Sequence, residues 1–146
     1  MTDHKPVTIV MIEDDEGHAR LIERNIRRAG IFNEIKHFRD GSSGLEFLFK
    51  ADAGPVLNGP ALILLDLNLP DMSGTDILAR IKGHEVLKRT PVVVLTTTDD
   101  KVEVQRCYDL GCNVYITKPV NYEAFAEAIR QLGLFLAVIQ VPEAAP

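Results

Sequence analysis

The chain has 146 residues, 46% hydrophobic and 25% charged, with a net charge of −5. That length suits one domain around one core, and the anionic balance argues against broad binding to nucleic acid or anionic membranes. The start MTDHKP lacks a signal-peptide core, the apolar run 132–141 is too short to span a bilayer, and Cys107 and Cys112 form no Cys-x-x-Cys pair, so a cytoplasmic chain with reduced thiols is expected.

Short β-branched runs alternate with stretches of helical period. Thr8 to Ile12 predicts a strand. Glu13-Asp14-Asp15 follows, then a helix from Glu16 to Ala29 with Ala19, Leu21, Ile22 and Ile26 on one face and Gly30 as its stop. Glu34 to Phe38 predicts the second strand and Ser42 to Ala53 the second helix. The third strand, Ala61 to Leu65, ends at Asp66, and Gly74 to Gly83 is helical. The fourth strand, Val92 to Leu95, ends at Thr96, and a helix from Asp99 to Leu110 follows with Asp99 as its N-cap. Asn113 to Ile116 is the fifth strand; it runs into Thr117-Lys118-Pro119 and a helix from Asn121 to Leu134. VTIVMI, ALILLDL and PVVVLT are apolar almost throughout, as strands covered on both faces are. Strict alternation predicts an α/β fold, a doubly wound five-stranded parallel sheet of flavodoxin-like order 2-1-3-4-5.

Such sheets bind ligands outside the carboxyl ends of their strands. Folded this way, Glu13, Asp14 and Asp66 converge, because the first and third strands are neighbours. Three close carboxylates raise one another's pKa, and a hard divalent cation offsets that cost with oxygen ligands. Thr96 adds a hydroxyl and Lys118 a fixed positive charge, a set able to stabilise an anionic phosphoryl group. Taken singly, each residue has a plainer reading. Glu13-Asp14-Asp15 suits a helix N-terminus, Asp66 a turn, Lys118 a loop and Thr96 a strand. The specificity lies in all of them falling at the ends of the right strands in the right order. The histidines His4, His18, His37 and His84 show no ligand spacing and are expected to be surface or half-buried residues rather than a site. Arg20, Arg24, Arg27 and Arg28, interleaved with Glu16 and Glu23, are assigned to a solvated helix face.

Over about residues 7 to 134 the chain resembles the receiver domain of two-component response regulators. The resemblance is carried by Ile12-Glu13-Asp14-Asp15, by Leu64 to Gly74 with Asp66, Pro70 and Gly74 at the family's spacing, by Pro91 to Thr96, and by Gly111, Tyr115 and Lys118-Pro119. It implies that Asp66 is the phosphoacceptor, attacking a phosphohistidine of a partner kinase. It implies Mg²⁺ held by Asp14 directly, by Glu13 through water, by Asp66 and by the backbone carbonyl of Asn68. Thr96 and Lys118 would bond phosphoryl oxygens, Thr96 and Tyr115 would act as the switch pair, and a cis bond would precede Pro119. Thr97 departs from the small residue usual there, and its bulk would narrow the approach to Asp66.

The chain divides into a leader (1–6), a receiver (7–134) and an apolar tail (135–146). It has no helix-turn-helix or basic stripe for DNA. A tail as apolar as Leu134-Phe-Leu-Ala-Val-Ile-Gln-Val-Pro142 needs cover. Packing back on its own domain would supply it; a homodimer through the C-terminal region is the expectation favoured here. A likeness to the receivers paired with bacterial and cyanobacterial phytochromes implies a phytochrome histidine kinase as donor. Three rivals stand beside this reading. A flavodoxin-like carrier lacks its phosphate-cradling loop. A Mg²⁺-dependent phosphatase would want an acid where Asn68 stands. A scaffold that works without phosphorylation would bind neither Mg²⁺ nor phosphodonor.

Overall fold

In the computed structural model, residues 7–50, 60–119 and 121–136 are described. Five parallel strands stand in the order β2-β1-β3-β4-β5: β1 (Thr8–Ile12), β2 (Ile35–Phe38), β3 (Ala61–Leu65), β4 (Val92–Thr96) and β5 (Val114–Thr117). The helices between and after them are α1 (Glu16–Arg28), α2 (Gly41–Leu48), α3 (Gly74–Lys82), α4 (Lys101–Leu110) and α5 (Tyr122–Leu136), with a 3-10 turn at Leu87–Arg89. The expected fold and strand order are therefore the observed ones.

The alternation of side chains along each strand divides the core in two. Val10, Ile12, Ile63, Leu65, Val92 and Val94 pack against Leu45 and Leu48 of α2, Ile77, Leu78 and Ile81 of α3, and Cys107 of α4. Ile9, Met11, Leu62, Leu64, Val93 and Leu95 pack against Leu21, Ile22 and Ile26 of α1 and Phe125, Ile129 and Leu132 of α5. β1, β3 and β4 are buried almost throughout, while β2 and β5, at the edges, are half-buried.

Register brings the acidic ends together. Ile12 pairs with Leu65, so Glu13 and Asp66 leave the sheet side by side, and the Asp66 N–H donates to the Ile12 carbonyl at 3.0 Å. A one-residue slip would turn the apolar set of a strand to the opposite face; the two-sided core forbids it. On the other side Thr96 pairs with Thr117, which extends both strands one residue beyond their expected ends and sets Lys118 directly after β5.

Two helices depart from expectation because of their caps. α2 begins at Gly41 and ends at Leu48, rather than running from Ser42 to Ala53. Its Gly41 and Ser42 N–H groups donate to the Asp71 carboxylate at 2.8 Å each, and that of Ser43 to Asp40 at 2.7 Å. At the other end Phe49 leaves helical geometry and stacks edge-on with His84, ring centroids 5.1 Å apart. In α4 the N-cap is Asp100, not Asp99: its side chain accepts the Val102 N–H at 2.9 Å. Gly111, with φ of 107°, closes that helix in the left-handed region that favours glycine. α5 begins as expected, the Asn121 side chain accepting from the Ala124 N–H at 3.0 Å, and reaches Leu136 rather than Leu134. The leader and residues 137–146 of the tail lie outside the described residues. Among the described residues no helix is long and apolar enough to cross a membrane.

Candidate functional site

The loops leaving β1, β3, β4 and β5 meet above the sheet. Carboxylate oxygens of Glu13, Asp14 and Asp66 lie within 4.8 Å of one another. Glu13 and Asp66 are buried and Asp14 is exposed, so the cluster has two walls and an open side. The buried Lys118 ammonium donates to Glu13 Oε1 at 2.5 Å and lies 3.3 Å from Asp66 Oδ2.

Backbone donors hold the carboxylates in place. The Asp15 N–H donates to Glu13 Oε2 at 3.1 Å, and that of Asn68 to Asp66 Oδ1 at 3.1 Å. Burial pushes the Glu13 carboxyl up to about 7, against the pull of the Lys118 ammonium and with the repulsion of Asp66. One lysine does not neutralise three carboxylates. The donor set is all oxygen, partly desolvated and open on the Asp14 side, which is the chemistry a hard divalent cation takes.

Thr96 is fully buried, and its hydroxyl accepts from Asn68 Nδ2 at 3.2 Å. The same amide lies 3.4 Å from the hydroxyls of both Thr97 and Thr98. Thr97 is exposed and turned to Asn68, and with Thr96 and Thr98 it sets a row of hydroxyls along the β4–α4 loop. The Tyr115 hydroxyl, pushed up to about 12 chiefly by burial, donates to the Thr98 carbonyl at 2.5 Å. Thr96, Asn68 and Tyr115 thus form one chain of contacts through that loop. Pro119 is half-buried directly after Lys118.

The loop after Asp66 is fastened twice. Asp71, pulled down to about 2 by the Ser42 hydroxyl and the Gly41 and Ser42 N–H groups, ties it to α2. Gly74 passes so close that a Cβ there would sit 2.5 Å from both the Asp66 carbonyl oxygen and Leu67 Cα. Only glycine permits that approach.

Three participants carry no spacing signal. His18 is half-buried, as expected, with its Nδ1 3.0 Å from Lys118 Nζ. His37 Nε2 lies 2.8 Å from the Glu13 carbonyl. Asp71 looks in sequence like an ordinary turn residue. A signal for His18 exists in hindsight: Asp15 is the N-cap of α1 and bonds the His18 N–H at 3.0 Å, so His18 lies in the first turn of the helix that starts above the site.

Comparison with known proteins gives one consistent result. The family model for the response regulator receiver domain matches residues 9–130. The crystal structure of a response regulator receiver domain from Rhodospirillum rubrum superposes with a TM-score of 0.92 at 65% identity, covering 96% of this chain and 100% of the other. Response regulator Rcp1 of Synechocystis is 36% identical over 140 residues, 95% of each chain; the crystal structure of its Mn²⁺-bound form gives a TM-score of 0.85 over 94% of this chain and 99% of that one. The phosphorylated cyanobacterial phytochrome response regulator RcpA is 32% identical with a TM-score of 0.82, covering 94% and 99%.

Proposed function

The chain belongs to the response regulator receiver family, and from that premise we propose that it takes a phosphoryl group from a histidine kinase onto Asp66. The observation that carries this is the pairing of Asp66 with a buried ammonium inside a three-carboxylate cluster. In the transfer, an Asp66 carboxylate oxygen bonds to phosphorus while the phosphorus–nitrogen bond of the kinase phosphohistidine breaks, and its electron pair returns to the imidazole. Asp14, Glu13, Asp66 and the Asn68 carbonyl would hold Mg²⁺, which supplies positive charge against the phosphoryl oxygens. Lys118 supplies a second, fixed positive charge at the same place. Thr96 donates its hydroxyl proton to a third phosphoryl oxygen, exchanging its place beside the Asn68 amide for one nearer Asp66. That exchange loosens the row of hydroxyls and the Tyr115 contact with Thr98, and so biases the β4–α4 loop between two arrangements. Asn68 offers an amide where turnover would need an acid, which suits holding the phosphoryl group rather than releasing it.

Similarity to the phytochrome response regulator RcpA supports a phytochrome as the kinase. Phosphotransfer profiling against a panel of histidine kinases tests this: preferential transfer from a phytochrome kinase is expected, and transfer only from unrelated kinases would contradict it. We place the reaction in the cytoplasm, consistent with two free, buried cysteines. Output passes through protein contacts, with a homodimer formed through the C-terminal region. Truncation after Gly133 should convert a dimer to a monomer in light scattering; an unchanged mass would refute the dimer site.

The raised Glu13 carboxyl makes a pH prediction. The folded chain holds this proton up to about pH 7, whereas the unfolded chain releases it near 4.5. Its contribution to stability is therefore full below pH 4.5 and is lost as pH rises through 7. The span is worth about 3 kcal/mol. Thermal melts in chelator should fall between pH 5 and 8, Glu13→Gln should flatten that slope, and Mg²⁺ should stabilise more at pH 8 than at pH 5.

A further inference from the structure

We infer that His18 is a positioning residue for Lys118: its Nδ1 takes one of the three ammonium protons and thereby aims another at the phosphoacceptor oxygen. The inference rests on the reading of Asp66 given above.

The Lys118 side chain is 2% exposed, so water cannot satisfy its ammonium, and a buried donor left without a partner is costly. Its protons have three acceptors, Glu13 Oε1 at 2.5 Å, His18 Nδ1 at 3.0 Å and Asp66 Oδ2 at 3.3 Å. An ammonium donates only. His18 Nδ1 must therefore accept, which makes the ring neutral and puts its own proton on Nε2. The other charged group near Nδ1 is the Asp15 carboxylate at 3.7 Å, beyond hydrogen-bond reach. That carboxylate takes the His18 backbone N–H instead.

The imidazole is itself held. The Asp15 cap fixes its backbone in the first turn of α1, and its edge packs on Phe125 of α5, centroids 5.3 Å apart and planes at 86°. Three acceptors at fixed places define the rotation of the ammonium about its last bond. When a phosphoryl group occupies Asp66, the proton aimed at Oδ2 meets a phosphoryl oxygen, while Glu13 and His18 keep the other two. Without Nδ1 one proton is unpaired, and the ammonium swings between Glu13 and Asp66 with none of its protons fixed on the reacting group.

Two substitutions separate the acceptor from the ring. His18→Phe keeps the ring against Phe125 and removes the acceptor; His18→Asn places an amide oxygen where Nδ1 stood and removes the ring. Uptake from acetyl phosphate in Mg²⁺ is followed by intact mass on the full chain, with melting curves, Mg²⁺ affinity by calorimetry and the Lys118 Nζ resonance by NMR. His18→Phe is expected to lower the uptake rate at saturating donor about tenfold, shift the Lys118 signal and leave Mg²⁺ affinity unchanged. His18→Asn should recover the rate to within about twofold while melting lower than His18→Phe. Wild-type uptake by His18→Phe, or equal slowing by both variants, would overturn the inference. The ¹⁵N spectrum of the unsubstituted protein gives a test that no folding defect can blur: a proton on His18 Nδ1 instead of Nε2 also overturns it. Asp66→Asn is run alongside; persistent uptake there would overturn the Asp66 reading, whatever His18 does.

Discussion

Asp66→Asn abolishes phosphoryl uptake without weakening the fold: this is the expected result with the largest functional effect. The amide has nearly the shape of the carboxylate and fills the same buried position, but its nitrogen and neutral oxygen do not attack phosphorus. The rate from acetyl phosphate should fall more than about 10³-fold, as when a nucleophile is removed. Stability should hold or rise. The substitution removes one of three mutually repelling carboxylates, and Lys118 keeps Glu13 at 2.5 Å. Uptake is read by intact mass, stability by thermal melting in chelator. An Asp66→Asn chain that still acquires a hydroxylamine-labile phosphoryl group would place the acceptor elsewhere.

Lys118→Met is expected to lose both properties. Methionine fills the buried channel without strain, but the phosphoryl oxygens lose a charged donor, and uptake should fall about 10²–10³-fold. Glu13 and Asp66 are then buried beside each other with no counter-ion. Removing one partner of a buried pair costs about 3–5 kcal/mol. The loss should be largest above pH 7, where Glu13 is ionised, and smaller at pH 5, where burial already keeps it protonated. Denaturant unfolding of the metal-free variant at both pH values checks the sign. Equal destabilisation at the two would mean that Lys118 acts on stability through packing alone. The contrast between the variants is itself informative: both slow uptake by about 10²-fold or more, and only Lys118→Met lowers stability.

The alternation of apolar runs and helical stretches was enough to order the sheet, because buried parallel strands and amphipathic helices leave different periods in a sequence. Strand order then put Glu13, Asp14, Asp66, Thr96 and Lys118 at one edge without any knowledge of side-chain contacts. What stayed hidden has physical causes. The start of α2 depends on Asp71, 30 residues away from Gly41, whose carboxylate caps it from another loop. The choice between Asp99 and Asp100 as cap of α4 turns on which carboxylate reaches a backbone N–H of the first turn, and that is Asp100 with Val102. His18 gave no ligand spacing because its partner is one lysine, 100 residues away. Periodicity reports which face a residue occupies and says nothing of which single atom it meets.

The two groups of threonine and amide contacts also explain how a site this small could move a surface. Asn68 belongs to the loop that carries Asp66, and the hydroxyls it holds belong to the loop that leads into α4. In the function proposed above, a phosphoryl oxygen accepts the Thr96 hydroxyl proton while the hydroxyl oxygen can still accept from that amide, so the effect is a pull of Thr96 toward Asp66. The Tyr115 hydroxyl bonded to the Thr98 carbonyl would carry that pull to the edge strand. On the other flank, Lys118 reaches α1 and α5 through His18 and Phe125.

The most direct test of the central claim is the intact mass of the chain after incubation with acetyl phosphate and Mg²⁺. The account predicts a gain of one phosphoryl group that requires the divalent cation, disappears with hydroxylamine and maps to the peptide containing Asp66. No gain, or a gain that survives hydroxylamine or maps to another peptide, would contradict it.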